Sequence, residues 1–518
     1  MQTPSNNKGF SYALVVALGG FLMGFDASVI SGVVSFIETE FQLNKIQVGW
    51  AVASLTLTAS LAMLISGPLS ERFGRVTVLK AAALLFAISA ILSALAPSFL
   101  WLVAARMLGG FGVGAALIIA PMYIAESSPA ALRGRRVSLN QLNIVIGISA
   151  AFFTNYAILL LAQSGMMGIN LDNAWRWMLG IEALPALLYL FGLFAVPESP
   201  RWLMLKGQTE QARKVLVSLV GRQEAERESI AIAKDLARPT LMAPIRELWQ
   251  KPLRLALLLG VTLAITQQIT GINAVFFYAP MIFEQSGIGT NAAFVQAILV
   301  GLTNLVFTLI AIAFIDKIGR KPLLLFGLSG ITFFMMLLAY QFSSAEYVLS
   351  INDIKAYDGI IFTQLQTLQD QVFSSDIAFK DALTLTLGSQ QALILEAQLL
   401  SAAISINALW VLVGILGFVA CFAVSIGPVM WVLFSELFPN RVRAIAVSCV
   451  GLINSAVSFM VQLIFPWELA NFGSAATFAL YGIFSLLGLI IIIRYLPETK
   501  GHSLESIETL LHPTPVKN

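Results

Sequence analysis

The sequence predicts an all-α membrane protein, with twelve transmembrane helices in two pseudo-symmetric six-helix halves and short cytoplasmic helices between the halves. Three observations carry that expectation: a chain too apolar for water, about twelve apolar runs of bilayer length, and residue patterns that recur in order in both halves. The 518 residues are 58% hydrophobic and 11% charged, against roughly 25% charged in an ordinary soluble domain. A chain of this length lacks the polar surface to cover so much apolar side chain in water. Its solvent is lipid. The net charge of +3 gives no sign of nucleic acid as a partner.

A helix needs about 20 apolar residues to cross a bilayer. Such runs lie at 11–36, 46–68, 77–96, 98–124, 136–162 and 174–196, then at 253–285, 291–315, 322–342, 403–434, 443–466 and 472–496. The first is too long for a signal-peptide core and many follow it, so it is a retained span. The expected organisation is an N-terminal half at 1–196, linker helices at 197–252, a C-terminal half at 253–496 and a cytoplasmic tail at 497–518. The linker is rich in Lys, Arg and Glu and reads as short amphipathic helices. Within the second half, 343–402 forms a polar insert. It carries Glu346, Asp353, Asp358, Asp370, Asp376, Asp381 and Glu396 against only Lys355 and Lys380.

Basic residues set the orientation. Alternate connections hold Arg72 and Arg75, then Arg133, Arg135 and Arg136, the linker, Lys317, Arg320 and Lys321, and finally Arg441 and Arg443. The opposite connections hold only Lys45, Lys355 and Lys380. Both termini are therefore expected in the cytoplasm and the 343–402 segment outside. Cys421 and Cys449 lie in apolar runs, which argues against a disulfide framework. His502 and His512 both sit in the tail, so intramembrane proton chemistry must use carboxylates, and no metal or other cofactor is expected.

The two halves repeat each other. Glu71-Arg72-Phe73-Gly74-Arg75 matches Asp316-Lys317-Ile318-Gly319-Arg320. Glu126 is followed by Pro129 and Arg133, as Glu436 is by Pro439 and Arg443 at the same offsets; Pro197-Glu198-Ser199 returns as Pro497-Glu498-Thr499. Parallel halves of this kind rock about a central site in membrane transporters.

Five amides lie within apolar spans: Gln141, Gln267, Gln268, Asn273 and Asn304. A buried amide left unpaired costs about 1–3 kcal/mol, so each wants a partner. Sugar hydroxyls donate and accept, as amides do; interhelical bonding is the alternative use. Gln267 and Asn273 would not share one face of an ideal helix, but Gly271 and Pro280 predict a local break there. Gly427-Pro428 predicts a second break in span ten, followed by Trp431, whose indole offers a flat face to a pyranose ring or a belt residue to the interface. Tyr278 is a weaker candidate. Asp26 lies deep in span one, where a charge costs about 2.5–3.5 kcal/mol on insertion scales. Arg106 in span four is its expected partner. Protonation would break that pair, whereas a fixed ion pair is the structural alternative. Glu182 in span six is a further intramembrane carboxylate whose role the sequence leaves open. Gly20 with Gly24, and Gly110 with Gly114, have the spacing that lets helices approach closely.

Taken together, the chain resembles the sugar porters of the major facilitator superfamily over nearly its whole length, most of all the bacterial xylose–proton symporter type. The resemblance rests on Gly24-Phe25-Asp26, Gly67 through Arg75, Arg106 with Gly109-Gly110, and Pro121 through Glu126. It continues through Arg133-Gly134, Asn140-Gln141, Trp175-Arg176-Trp177 and Pro197 through Arg201. The second half adds Gln267-Gln268, Gly271-Ile272-Asn273, Asn304, Asp316 through Lys321, Gly427-Pro428, Trp431, Glu436 and Pro497-Glu498-Thr499. It implies that the five amides and Trp431 contact a sugar; Gly427 and Tyr278 are further substrate-binding candidates, and Asp26 with Arg106 is the candidate pair for proton coupling. It implies a cytoplasmic gate of Arg72, Arg75, Glu126, Arg133, Glu198, Arg320, Glu436, Arg443 and Glu498, linking the inner helix ends of the two halves. The chain departs from the family at Val450 and Gly451, where a Gln–Trp pair stands a few residues before the counterpart of Asn454. Ile148 replaces a second amide and Met23 a Phe. Each change makes the pocket less polar or roomier.

The expected function is secondary import of a monosaccharide or polyol by proton symport through alternating access. A passive uniporter is the nearest alternative, with an exporter of a less polar solute or a sugar sensor behind it. No nucleophile–base pair or phosphate-cradling loop points to an enzyme. The expected partners are the solute, a proton and the lipid bilayer of a bacterial inner membrane, with the chain acting as a monomer.

Overall fold

A computed structural model of the chain describes residues 5–129, 132–236, 245–250, 253–355, 357, 359–439 and 441–500. Asp358, His502, His512, the rest of the tail beyond Lys500 and the Asp316 side chain lie outside the described residues. Among those described, twelve helices are long and apolar enough to cross a membrane. Spans one to six are Lys8–Gly32, Lys45–Phe73, Arg75–Ala94, Phe99–Glu126, Arg133–Ser164 and Ala174–Phe194. Spans seven to twelve are Arg254–Glu284, Thr290–Ile315, Arg320–Ser343, Ala408–Leu437, Ile445–Asn471 and Gly473–Tyr495. Each expected run has its helix.

The chain forms two compact units, Met1–Val33 with Ala53–Leu241, and Val34–Val52 with Met242–Asn518. In the first, Phe86, Tyr123 and Tyr189 anchor the apolar core. Small residues set its closest helix approaches: a Cβ on Gly24 would collide with the Ile144 carbonyl of span five, and one on Gly114 with the Ala59 carbonyl of span two. The linker supplies three helices to this unit, Pro200–Leu205, Thr209–Val220 and Arg222–Leu236.

Span one stops earlier than the apolar run at 11–36. Its α-helix tightens into a 3-10 turn at Ile30–Gly32, and Val34–Glu40 is a separate short helix that belongs to the second unit. Within the turn the Ser31 hydroxyl donates to the Ser28 carbonyl at 2.7 Å.

Two spans of the second unit are broken at their middles. Span seven divides into Arg254–Ile269 and Ile272–Glu284, with Gly271 in the left-handed region at φ +88. Only glycine holds that conformation without penalty, and a Cβ there would also run into the Tyr481 ring. Span ten divides at Ser425, two residues before the predicted Gly427-Pro428 break.

The 343–402 insert is a small folded body. Glu346–Tyr347 pairs antiparallel with Ile404–Ser405, Glu346 opposite Ser405 and Tyr347 opposite Ile404. Helices Ile351–Ile354, Gly359–Gln366, Asp376–Leu387 and Ser389–Ala403 fold over the buried Tyr347, Leu365, Phe379, Leu383 and Leu399. Asp376 accepts the Ser474 backbone N–H at 3.1 Å, capping the start of span twelve. Lys45 ties the insert to Val34–Glu40 by reaching Glu38 at 2.7 Å and Glu396 at 3.6 Å.

Candidate functional site

In the second unit the break in span seven gathers the amides that an ideal helix would separate. Gln267 and Gln268 end the first half-helix and Asn273 opens the second. Asn454 from span eleven reaches between them. Its Nδ2 donates to the Ala264 carbonyl at 2.9 Å and to Gln267 Oε1 at 2.7 Å. Gln268 Nε2 donates to Gln267 Oε1 at 3.2 Å and Asn454 Oδ1 at 3.1 Å. Asn273 Nδ2 donates to Gln268 Oε1 at 2.7 Å and Ser458 Oγ at 2.6 Å. Gln267 Nε2 reaches the Gly427 carbonyl at 3.4 Å, which the break in span ten brings into range.

The direction of this chain of bonds is fixed. Backbone carbonyls only accept, so Ala264 and Gly427 force the nitrogen ends of Asn454 and Gln267 toward them. Every later amide must then present its nitrogen to the preceding oxygen. In the bonds just given, Gln267 keeps one N–H unused and Asn273 Oδ1 accepts from no described residue. A spare donor and a spare acceptor on one cluster suit hydroxyls, which both accept and donate.

The other predicted contacts fall variously. Trp431 follows Gly427 by one turn and is 44% exposed, its ring meeting Phe434 edge-on at 5.7 Å. Tyr278 is fully buried and donates to the Gln462 carbonyl at 2.9 Å, so it supports span eleven. Asn304 is buried on span eight and joins no hydrogen bond of the cluster. Gln141 stands exposed on span five in the first unit. The substituted positions differ: Val450 is buried, while nothing lies within 4 Å of where a Cβ on Gly451 would sit. The sequence marked Asn454 only as a reference point and missed Ser458 and Gln462, which follow it at helical spacing on one face.

In the first unit Asp26 and Arg106 meet as expected, Arg106 donating to Oδ1 at 3.3 Å with both side chains at most 3% exposed. The other carboxylate oxygen of Asp26 has no hydrogen-bond partner, and neither has Oε1 of Glu182. Glu182 is buried within electrostatic reach of both Asp26 and Arg106. Gly109 makes room here, since a Cβ on it would lie 3.2 Å from Asp26 Oδ2 and 2.5 Å from Ser89 Oγ. An ionised oxygen buried without a donor is costly, and a proton on it removes the cost.

The repeated charges form the same assembly in each unit. Arg75 donates to Glu126 at 3.0 and 3.1 Å, and Arg320 to Glu436 at 3.1 and 2.9 Å. Ser199 donates to Glu126 at 2.5 Å and Thr499 to Glu436 at 2.6 Å. Glu198 accepts from the backbone of Arg75 and Val76, and Glu498 from Arg320 and Lys321, capping spans three and nine just after Gly74 at φ +102 and Gly319 at φ +107. A carboxylate on a helix N-terminus is favoured by the helix dipole. Arg133 donates to the Ala125 carbonyl and Arg443 to the Phe438 carbonyl, while Arg72 lies over the Phe73 ring. The bonds just given each lie inside one unit.

Burial works against the charge of Glu498, but backbone N–H groups of Lys500, Arg320, Lys321 and Thr499 outweigh it and hold the carboxyl below its ordinary value. A carboxyl lowered on folding stabilises the fold above its unfolded value, about 4.3. That contribution fades as pH falls through the lowered folded value. Glu498→Gln should therefore melt below the parent at neutral pH, with the gap closing on acidification. Melting curves of both proteins across pH 3 to 7 check this; a constant gap contradicts it.

The model of the family "Sugar (and other) transporter" matches residues 12–363 and 382–511, and the gap between the two blocks lies inside the insert. An arabinose–proton symporter of Bacillus subtilis (strain 168) is 34% identical over 510 residues, 98% of this chain and 96% of the relative. A D-xylose–proton symporter of Escherichia coli (strain K12) is 34% identical over 546 aligned residues, 97% of this chain and 96% of the relative. The structure matches the inward-open conformation of the xylose transporter XylE from E. coli with a TM-score of 0.75 at 32% identity, covering 97% of this chain and 99% of that one.

Proposed function

The chain belongs to the sugar transporter family, an integral membrane protein with the major facilitator fold and a transporter rather than an enzyme, and from that premise we propose that it imports a monosaccharide, a pentose before others, together with a proton by alternating access. The observation that carries this reading is the directional amide cluster, with a spare donor on Gln267 and a spare acceptor on Asn273. Trp431 supplies the apolar face on which the sugar ring lies, and Asn304 and Gly427 complete the contacts of this unit. Gly451 leaves space beside the cluster for a substituent.

Proton coupling resides in Asp26, Arg106 and Glu182. With both carboxylates ionised, two negative charges share one guanidinium. A proton on Asp26 Oδ2 balances the group and loosens the pair with Arg106. Each imported charge gains about 2.3 kcal/mol per 100 mV of membrane potential. The matched Arg–Glu assemblies act as the cytoplasmic gate, with both termini on that side and the insert outside. The protein works as a monomer in the lipid bilayer of a bacterial inner membrane.

Purified chain in proteoliposomes tests the reading with labelled L-arabinose, D-xylose and D-glucose. Uptake against a gradient, with proton entry recorded as external alkalinisation on sugar addition, is the expected result. Sugar movement without proton movement would make it a uniporter. Gln267→Ala removes the spare donor and strands Asn454 and Gln268, so its half-saturation concentration should rise about tenfold to a hundredfold.

A further inference from the structure

The hydrogen-bonded chain does not stop at Asn273. Ser458 lies one turn beyond Asn454 on span eleven and Gln462 one turn beyond Ser458. Gln462 Nε2 donates to Ser458 Oγ at 2.8 Å, and Asn273 Nδ2 donates to the same oxygen at 2.6 Å. Ser458 is 6% exposed and Gln462 1% exposed. Neither is placed to meet a solute as Asn273 is, whose side chain is part-exposed.

We infer that Ser458, held by Gln462, is a positioning residue that keeps the oxygen of Asn273 turned toward the substrate, so that the site demands a sugar hydroxyl able to donate there. This rests on the sugar reading above.

The two ends of an asparagine amide are almost the same size, so only their hydrogen-bond partners decide which end faces out. The nitrogen of Asn273 has two hydrogens and two acceptors, Gln268 Oε1 and Ser458 Oγ. With both bonds made, Oδ1 is the end left to the solute. Gln462 matters because a serine hydroxyl can either donate or accept. A second N–H aimed at the same oxygen commits Ser458 to accepting, and its own proton must point elsewhere. Without Ser458 Oγ one hydrogen of Asn273 loses its acceptor. Gln268 Oε1 then holds the nitrogen by a single bond, so the amide can swing about that bond, aim its stranded N–H at the solute and carry Oδ1 off the hydroxyl it reads.

The experiment compares D-xylose with its singly deoxyfluorinated analogues as competitors of labelled D-xylose uptake. Fluorine cannot donate, so against the parent protein one analogue, fluorinated where Asn273 reads, should compete far more weakly than the others. Ser458→Ala should raise the half-saturation concentration for D-xylose about tenfold with the maximal rate within about twofold, and should erase the penalty on that one analogue. Ser458→Thr keeps the accepting oxygen and should restore the parent pattern. Gln462→Leu should move the same way as Ser458→Ala, by less. The inference is overturned if Ser458→Ala keeps the parent's analogue ranking, or if Ser458→Thr is as impaired as Ser458→Ala. A Gln267→Ala defect alongside either of those results leaves the sugar reading standing. Absence of uptake of any tested sugar by the parent chain overturns the sugar reading, and this inference with it.

Discussion

Asp26→Asn is expected to abolish accumulation of sugar against a gradient while leaving exchange of sugar across the membrane intact. The amide copies the shape of a protonated carboxyl but carries no exchangeable charge. In the parent, the ionised oxygen Oδ2 is buried without a donor while Oδ1 holds Arg106. That arrangement has a reason to take a proton and a reason to give it back, since Arg106 favours the charged form and burial the neutral one. Asparagine removes both. Counterflow, in which labelled sugar outside exchanges with unlabelled sugar inside, should run near the parent rate. Uptake driven by an imposed pH gradient should fall to the level of an uncoupled liposome control. Gradient-driven accumulation by Asp26→Asn would show that the coupling proton binds elsewhere, Glu182 being the first place to look.

Gly271→Ala should cost both stability and binding. Alanine in the left-handed region is penalised by roughly 1–2 kcal/mol, and overpacking adds typically 1–3 kcal/mol; here the added methyl meets the Tyr481 ring. The half-helices of span seven can avoid that only by straightening, which swings Asn273 away from Gln268 and Ser458. A loss of sugar-induced thermal stabilisation is expected along with a lowered melting temperature. A melting temperature lowered alone, with binding at the parent affinity, would mean the amides do not depend on the break.

The spans were legible because a bilayer imposes one length on every apolar run, and that length survives changes of residue. What hydropathy does not register is a helix end inside a continuous apolar run. Val33 and Val34 continue the run of span one without interruption, although the helix ends at the preceding turn and the next one joins the other unit. The insert was unreadable for a related reason. Its core is assembled from Tyr347, Leu365, Phe379 and Leu399 on separate short pieces, none periodic enough to announce a helix. Span ten likewise begins at Ala408 because Ala403 and Ile404 are taken up by the insert. At the site, Gln267, Gln268 and Asn273 stood out as amides among apolar neighbours, and Gly271 foretold the bend. Asn454, Ser458 and Gln462 share a face, but only their partners distinguish them from the polar residues that many membrane helices carry. The repeated acids were legible as a pattern; the pairing of each with an arginine of its own unit was not.

The insert closes its own apolar core and is tied to the rest of its unit by charged side chains, Asp376 at the head of span twelve and Glu396 at Lys45. A segment built that way behaves as a handle. A reporter peptide, fluorophore or antibody epitope spliced into the exposed stretch around Leu385 would leave the solute path untouched, and cells displaying it would reveal by surface labelling which side of the membrane that stretch occupies.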